Sequence, residues 1–122
     1  MNNKNINENT FTFKSLFGHE YKIKFTKGKY LNNKRLYIGC LCWDEDGYWV
    51  PYGDVTKNLN AFIGDNVEKN AYLDENNYPD LIQFMREKGF FKDTGILYPS
   101  GWSFYPLVKF TDEFLAICEE IK

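Results

Sequence analysis

The sequence predicts an α+β fold, an antiparallel sheet of about five strands with two flanking helices. Three observations predict it. Apolar and polar residues alternate with period two over Phe11–Lys14 and Tyr21–Phe25, the mark of half-buried strands, and further strand signals follow as far as Tyr52. Two later stretches combine helical spacing with start and stop residues. A chain of 122 residues that is 43% apolar suits a single domain, here residues 11–122 behind a disordered polar tail at residues 1–10.

Taken in order, Phe11 and Phe13 alternate with Thr12 and Lys14, and Tyr21, Ile23 and Phe25 with Lys22 and Lys24. Residues 35–43 are apolar on both alternating faces, which predicts a central strand covered on both sides. Asp44-Glu45-Asp46-Gly47 is a hairpin turn, and Tyr48–Tyr52 returns as a strand with Pro51 at an edge. The expectation is a four-stranded meander over about residues 11–57, then a loop with a short strand ahead of Tyr72 and Leu73. Pro79 and Asp80 open a helix whose stripe is Leu81, Ile82 and Met85 and whose end is Gly89. Residues 94–110 read as extended and bend-rich, with a last strand from Trp102 to Phe110 interrupted at Pro106. Thr111 is a helix N-cap, and Phe114, Ile117, Cys118 and Ile121 follow the spacing of a closing amphipathic helix.

The inventory of chemistry is thin. His19 is the one histidine and falls in a turn, so a catalytic triad or a multi-histidine metal site has no raw material. Cys40 and Cys42 share a strand face and read, with Cys118, as small apolar thiols rather than metal ligands. Asp44, Asp46 and Gly47 resemble the start of a calcium loop, but Val55 stands where the closing Glu is needed. No phosphate-binding, dinucleotide-binding or nucleophile-elbow motif is present. The expectation is a non-enzyme with no cofactor and no metal. The first ten residues lack the apolar stretch of a secretory leader, and no run is long enough to cross a membrane, so the expected setting is cytoplasmic and away from membranes.

Charge and aromatics point to surfaces. Residues 1–35 hold eight basic and two acidic groups, a balance of +6; residues 36–122 hold seven and fifteen, a balance of −8. Lys22, Lys24, Lys27, Lys29 and Arg35 could bind nucleic acid, with Tyr21, Tyr30 and Tyr37 available to stack bases. They could equally guard a peripheral strand against edge pairing. Aromatics make up 19% of the chain, more than a small core needs, so some are expected at the surface. Trp102, Phe104 and Leu107 could plug the core, or Tyr98, Trp102 and Tyr105 could present a binding surface, with Asp44, Glu45 and Asp46 at a charged hairpin tip.

Asp74-x-Asn76-Asn77-x-Pro79, Thr94-Gly95, Ser100-Gly101-Trp102, Tyr105-Pro106-Leu107 and Phe110 occur in an order that resembles a family of small bacterial proteins classed only as a domain of unknown function. The resemblance covers roughly residues 35–110. It implies an α+β domain without assigned catalytic residues, carried by plasmids, conjugative elements and phages. It further implies a protein-binding module, by analogy an inhibitor of a host defence system of the anti-CRISPR type. The expected partner is a host or mobile-element protein, with nucleic acid as the alternative, and the expected state is a monomer or homodimer.

Overall fold

The structure, a computed structural model, describes residues 9–121. Among them the order is β1 (Phe11–Lys14), β2 (Glu20–Lys29), β3 (Leu36–Trp43), β4 (Trp49–Asp54), β5 (Thr56–Lys57), β6 (Asn70–Leu73), α1 (Pro79–Glu87), β7 (Phe91–Ser100), β8 (Ser103–Phe110), α2 (Asp112–Ile117) and β9 (Glu119–Glu120). The expected disordered tail lies outside the described residues, apart from Asn9 and Thr10.

The first sheet is the predicted antiparallel meander, β1-β2-β3-β4. Alternation sends Phe13, Ile23, Phe25, Ile38 and Cys40 inward, where all are buried. Among the described residues its other face is less deeply covered than the expectation for β3 required: Tyr37, Leu41 and Trp43 are half-buried there. Trp43 packs edge-on against Trp49, with ring centroids 5.1 Å apart, and the Lys24 ammonium lies 4.6 Å from the Trp49 ring. The Tyr37 ring lies across Gly39, where a Cβ would collide with it. Cys40 pairs with Gly53 and Leu41 with Pro51, so Tyr52 is an extra residue that bulges β4. The bulge turns Tyr52 onto Phe13 and Tyr21.

The second sheet runs β5-β6-β8-β7, all antiparallel. Ala71, Leu73, Phe91, Val108 and Phe110 join the core that the first sheet faces. Tyr72, Tyr105 and Leu107 form a smaller cluster with Ile63. The irregular residues 58–66 close it: Tyr72 Oη donates to the Phe62 carbonyl at 2.7 Å and Asn70 Nδ2 to the Ile63 carbonyl at 2.8 Å.

The fold class expected from sequence is therefore corrected. There are two antiparallel sheets, not one, and the described chain is 48% strand and 13% helix, with a single helix of seven or more residues. That helix, α1, keeps its predicted start at Pro79, its buried stripe of Leu81, Ile82 and Met85, and Gly89 beyond its end at a φ of 73°. The second helix does not flank the sheet. Thr111 caps it, its Oγ1 accepting from Phe114 N at 3.1 Å, but it stops at Ile117. Cys118 is extended, and the chain then pairs in parallel with Thr26 and Lys27 of β2. The short helix delivers Phe114 to the core, where its ring centroid lies 5.1 Å from Phe25, 4.8 Å from Phe90 and 5.3 Å from Phe110.

Phe114→Ala is expected to destabilise the fold by about 3–5 kcal/mol, because it empties the point where both sheets meet. Chemical denaturation checks this; a loss below about 1 kcal/mol would place the junction elsewhere.

Burial also holds the thiols protonated. It pushes Cys118 up to about 12 and raises Cys40 further. Unfolded thiols ionise as pH climbs past their ordinary value of 9.0 while the buried ones stay neutral, so this stability is whole below that pH and is lost towards the folded value. Melting temperature should fall across that window, and Cys118→Ala should flatten the fall. An unchanged alkaline slope in the variant would show that Cys118 ionises freely in the native state.

Candidate functional site

β6 pairs with β8 only at Leu107, Val108 and Lys109. Beyond Leu107, β7 and β8 pair with each other alone, so the hairpin leaves the sheet as a two-stranded arm. Its turn is Gly101-Trp102 between the paired residues Ser100 and Ser103. Gly101 has a φ of 63° while Trp102 stays at negative φ, the signature of a type II′ turn, which suits the twist of a hairpin.

The base of the arm is fastened. Arg86 on α1 donates from Nε and Nη2 to the two carboxylate oxygens of Asp93, at 3.0 and 3.1 Å, and from Nη1 to Glu75 at 3.1 Å. The hydrogen bond to Asp93 is the main reason the guanidinium holds its proton even more firmly than usual. Its plane lies 5.3 Å from the Phe91 ring. Just beyond, Asp93 pairs with Val108 and Leu97 with Pro106, so Thr94, Gly95 and Ile96 together face Leu107. The Thr94 hydroxyl closes this bulge by donating to the Leu107 carbonyl at 2.8 Å and accepting from Ile96 N at 3.2 Å.

One face of the arm is spent on the fold. Tyr98 and Tyr105 are cross-strand partners, the Tyr98 ring lies 5.8 Å from Tyr72, and the Lys57 ammonium lies 5.8 Å from the Tyr105 ring. The tip and the outer part of the other face are open, while Pro106 nearer the body is buried. Leu97 is 59% exposed, Phe104 61%, and Trp102 is fully exposed. Residues 94–108 contain no charged side chain. This uncharged cluster of large apolar side chains is exposed to solvent and contributes nothing to the core.

The structure sorts the candidates named from sequence. Trp102 is at the tip, and Tyr98 is at the edge of exposure. Tyr105 is buried and leaves the list, because a two-residue turn puts it opposite Tyr98 on the packed face. Phe104 and Leu97, not singled out as surface residues, take its place; strand alternation counted outward from the Ser100–Ser103 turn would have found them. The core-plug reading holds for Leu107, which is buried, and not for Trp102 or Phe104. Asp44 serves its own turn, one carboxylate oxygen accepting from Asp46 N at 3.0 Å and Tyr48 N at 2.9 Å. Glu45 and Asp46 are exposed, and among the described residues no hydrogen bond or ion pair joins them to the arm.

The basic set is partly engaged by the fold. Lys24 is paired with Glu119 at 3.0 Å; Lys27 donates to the Leu115 carbonyl at 2.9 Å and faces Glu120 at 3.5 Å; Arg35 donates to the Leu59 carbonyl at 2.8 Å. Lys22 and Lys29 are exposed. The proposed stacking tyrosines are engaged too: Tyr21 packs on Phe13 and Tyr52, Tyr30 bonds to Thr56, and Tyr37 donates to Asp54 at 2.6 Å. Burial is the first reason the Tyr37 phenol is held far above its ordinary value, and the bond to Asp54 the second.

A family model describing a domain of unknown function, DUF4313, matches residues 25–120, and the chain belongs to that family. No curated protein and no solved structure matches it. Among the described residues no helix is long and apolar enough to cross a membrane.

Trp102→Ala should change stability by no more than about 0.5 kcal/mol, because the side chain touches nothing it would leave unpaired. Arg86→Ala should cost about 1 kcal/mol and speed amide exchange in β7 ahead of β3, because it unfastens the arm. Melting curves and exchange rates read both; equal protection of β7 in wild type and Arg86→Ala would show that the clamp does not hold the arm.

Proposed function

We propose that this protein is a non-enzymatic binding module that seats the tip of its arm in an apolar groove of another protein. The observation that carries the reading is the fully exposed Trp102, flanked by Phe104 and Leu97 on a ribbon without charge. Tryptophan gives a large contact area with few rotatable bonds, and such residues dominate interface energetics when a pocket excludes water around them. The matching partner surface is concave, apolar and weakly charged. The proposal extends to a setting on a mobile element and to inhibition of a host defence system of the anti-CRISPR type; that extension draws on the family resemblance alone.

The test is capture from host lysate by immobilised wild type and by the double variant Trp102→Ala/Phe104→Ala, with and without nuclease. A stoichiometric protein that survives nuclease and is lost by a folded double variant is the expected result. Equal capture by both proteins, or capture that disappears with nuclease, would overturn the reading.

A further inference from the structure

A cleft of about 310 Å³ opens where the end of β2 meets the segment before β6 and the chain around α2 and β9. Its walls carry four lysines, Lys27, Lys29, Lys34 and Lys69, and two glutamates, Glu68 and Glu120; with Asp112, which pairs with Lys69 from beside the lining, the balance is one positive charge. Lys27 and Lys69 are already held, the first by Glu120 and the Leu115 carbonyl, the second by Asp112 at 2.6 Å. Lys29 and Lys34 are exposed and form no ion pair among the described residues. Leu36, Val67 and Leu115 supply an apolar lining between the charges.

A second observation is independent of charge. Lys34 sits at a φ of 61°, in the left-handed region that Gly and Asn occupy readily and lysine does not. The turn that holds it is closed by Lys34 N donating to the Tyr30 carbonyl and Tyr30 N to the Arg35 carbonyl, both at 2.9 Å. For stability alone Asn would serve this position better. A residue kept in strained backbone beside a cleft points to a use for its side chain.

We propose that this cleft binds a small phosphate monoester, with the dianionic group between Lys29 and Lys34 and the body of the molecule against Leu36, Val67 and Leu115. A monoester is close to dianionic at neutral pH and can meet the two unpaired ammonium groups of Lys29 and Lys34, with Glu68 the one opposing carboxylate of the lining that forms no ion pair among the described residues. Lysine meets phosphate as a mobile point charge, without the fixed geometry arginine requires. The site lies on the body of the protein and does not depend on the arm or on the function proposed for it.

The probe is phenyl phosphate, titrated into the isotope-labelled full chain and followed by backbone amide shifts, with benzyl alcohol, sodium sulfate and a decathymidylate strand as parallel arms. Saturable shifts confined to residues 27–36, 67–69 and 115–120 are expected with phenyl phosphate and not with benzyl alcohol or sulfate. Lys29→Gln and Lys34→Asn should each weaken binding roughly tenfold, the loss of one charged hydrogen bond. Lys34→Asn should also leave the melting temperature unchanged or raise it, an opposite sign that a structural role for the lysine would not give. Shifts that sulfate reproduces at equal ionic strength, or variants that bind like wild type, would overturn the proposal. Tighter binding of the thymidylate strand than of phenyl phosphate would overturn it in favour of a nucleic-acid surface.

Discussion

The contact on which the architecture rests is the Phe114 side chain between Phe25 and Phe110. Phe25 belongs to the first sheet, Phe110 to the second, and Phe90, stacked on the same ring, to the strand entry after α1. Two sheets joined by short links need apolar side chains from both to meet in one cluster, and here a third element supplies the ring that fills the space between them. This explains why α2 is so short. It has to set one phenylalanine at the right depth, and Thr111 at its start is enough to fix its direction. The chain is then free to return to β2. There β1 pairs only with Glu20–Ile23, leaving the backbone at Thr26 and Lys27 open for Glu119 and Glu120.

The same junction separates what could be read in the sequence from what could not. The meander was legible because alternation survives in β1 and β2, an apolar run marks β3 and Asp46-Gly47 marks the turn into β4. The α1 helix was legible because Pro79 and Gly89 mark its ends chemically. The second sheet was legible in part: the strands expected by Tyr72 and Leu73 and from Trp102 to Phe110 correspond to β6 and β8, while β7 was not marked. β7 is almost wholly exposed, contains Gly95 and Pro99, and is bulged at Thr94–Ile96, so no periodicity marks it as a strand. The closing helix was over-read for the opposite reason. Phe114, Ile117, Cys118 and Ile121 have helical spacing, yet the pairing of Glu119 and Glu120 with β2, beside Lys24 and Lys27, outweighs a weak local preference.

Those two ion pairs also neutralise part of the basic charge that residues 1–35 show when read along the chain. Counting lysines along the chain takes no account of carboxylates that arrive from ninety residues away. The clue was in the sequence as Lys24-x-x-Lys27 and Glu119-Glu120, but nothing local says that the two meet. The sequence left Trp102 open between core and surface, because the bend at Ser100-Gly101 was legible and the two-residue hairpin turn that exposes Trp102 was not. The burial of Tyr105 was not legible either, since it depends on Tyr72 and on the 58–66 segment that covers the smaller cluster.

The arm combines a free tip with a fixed base, and the physics of recognition gives that combination a consequence. A two-stranded ribbon alone is marginal in water and would lose much conformational entropy on docking. This one is anchored three times before its tip: by the two-pronged Arg86–Asp93 pair, by the Thr94 hydroxyl on the Leu107 carbonyl, and by Tyr98 against Tyr72. Each contact removes freedom during folding, so less remains to be lost when Trp102 and Phe104 leave water. The apolar tip adds nothing to the core, and these three contacts fix where it stands relative to the second sheet.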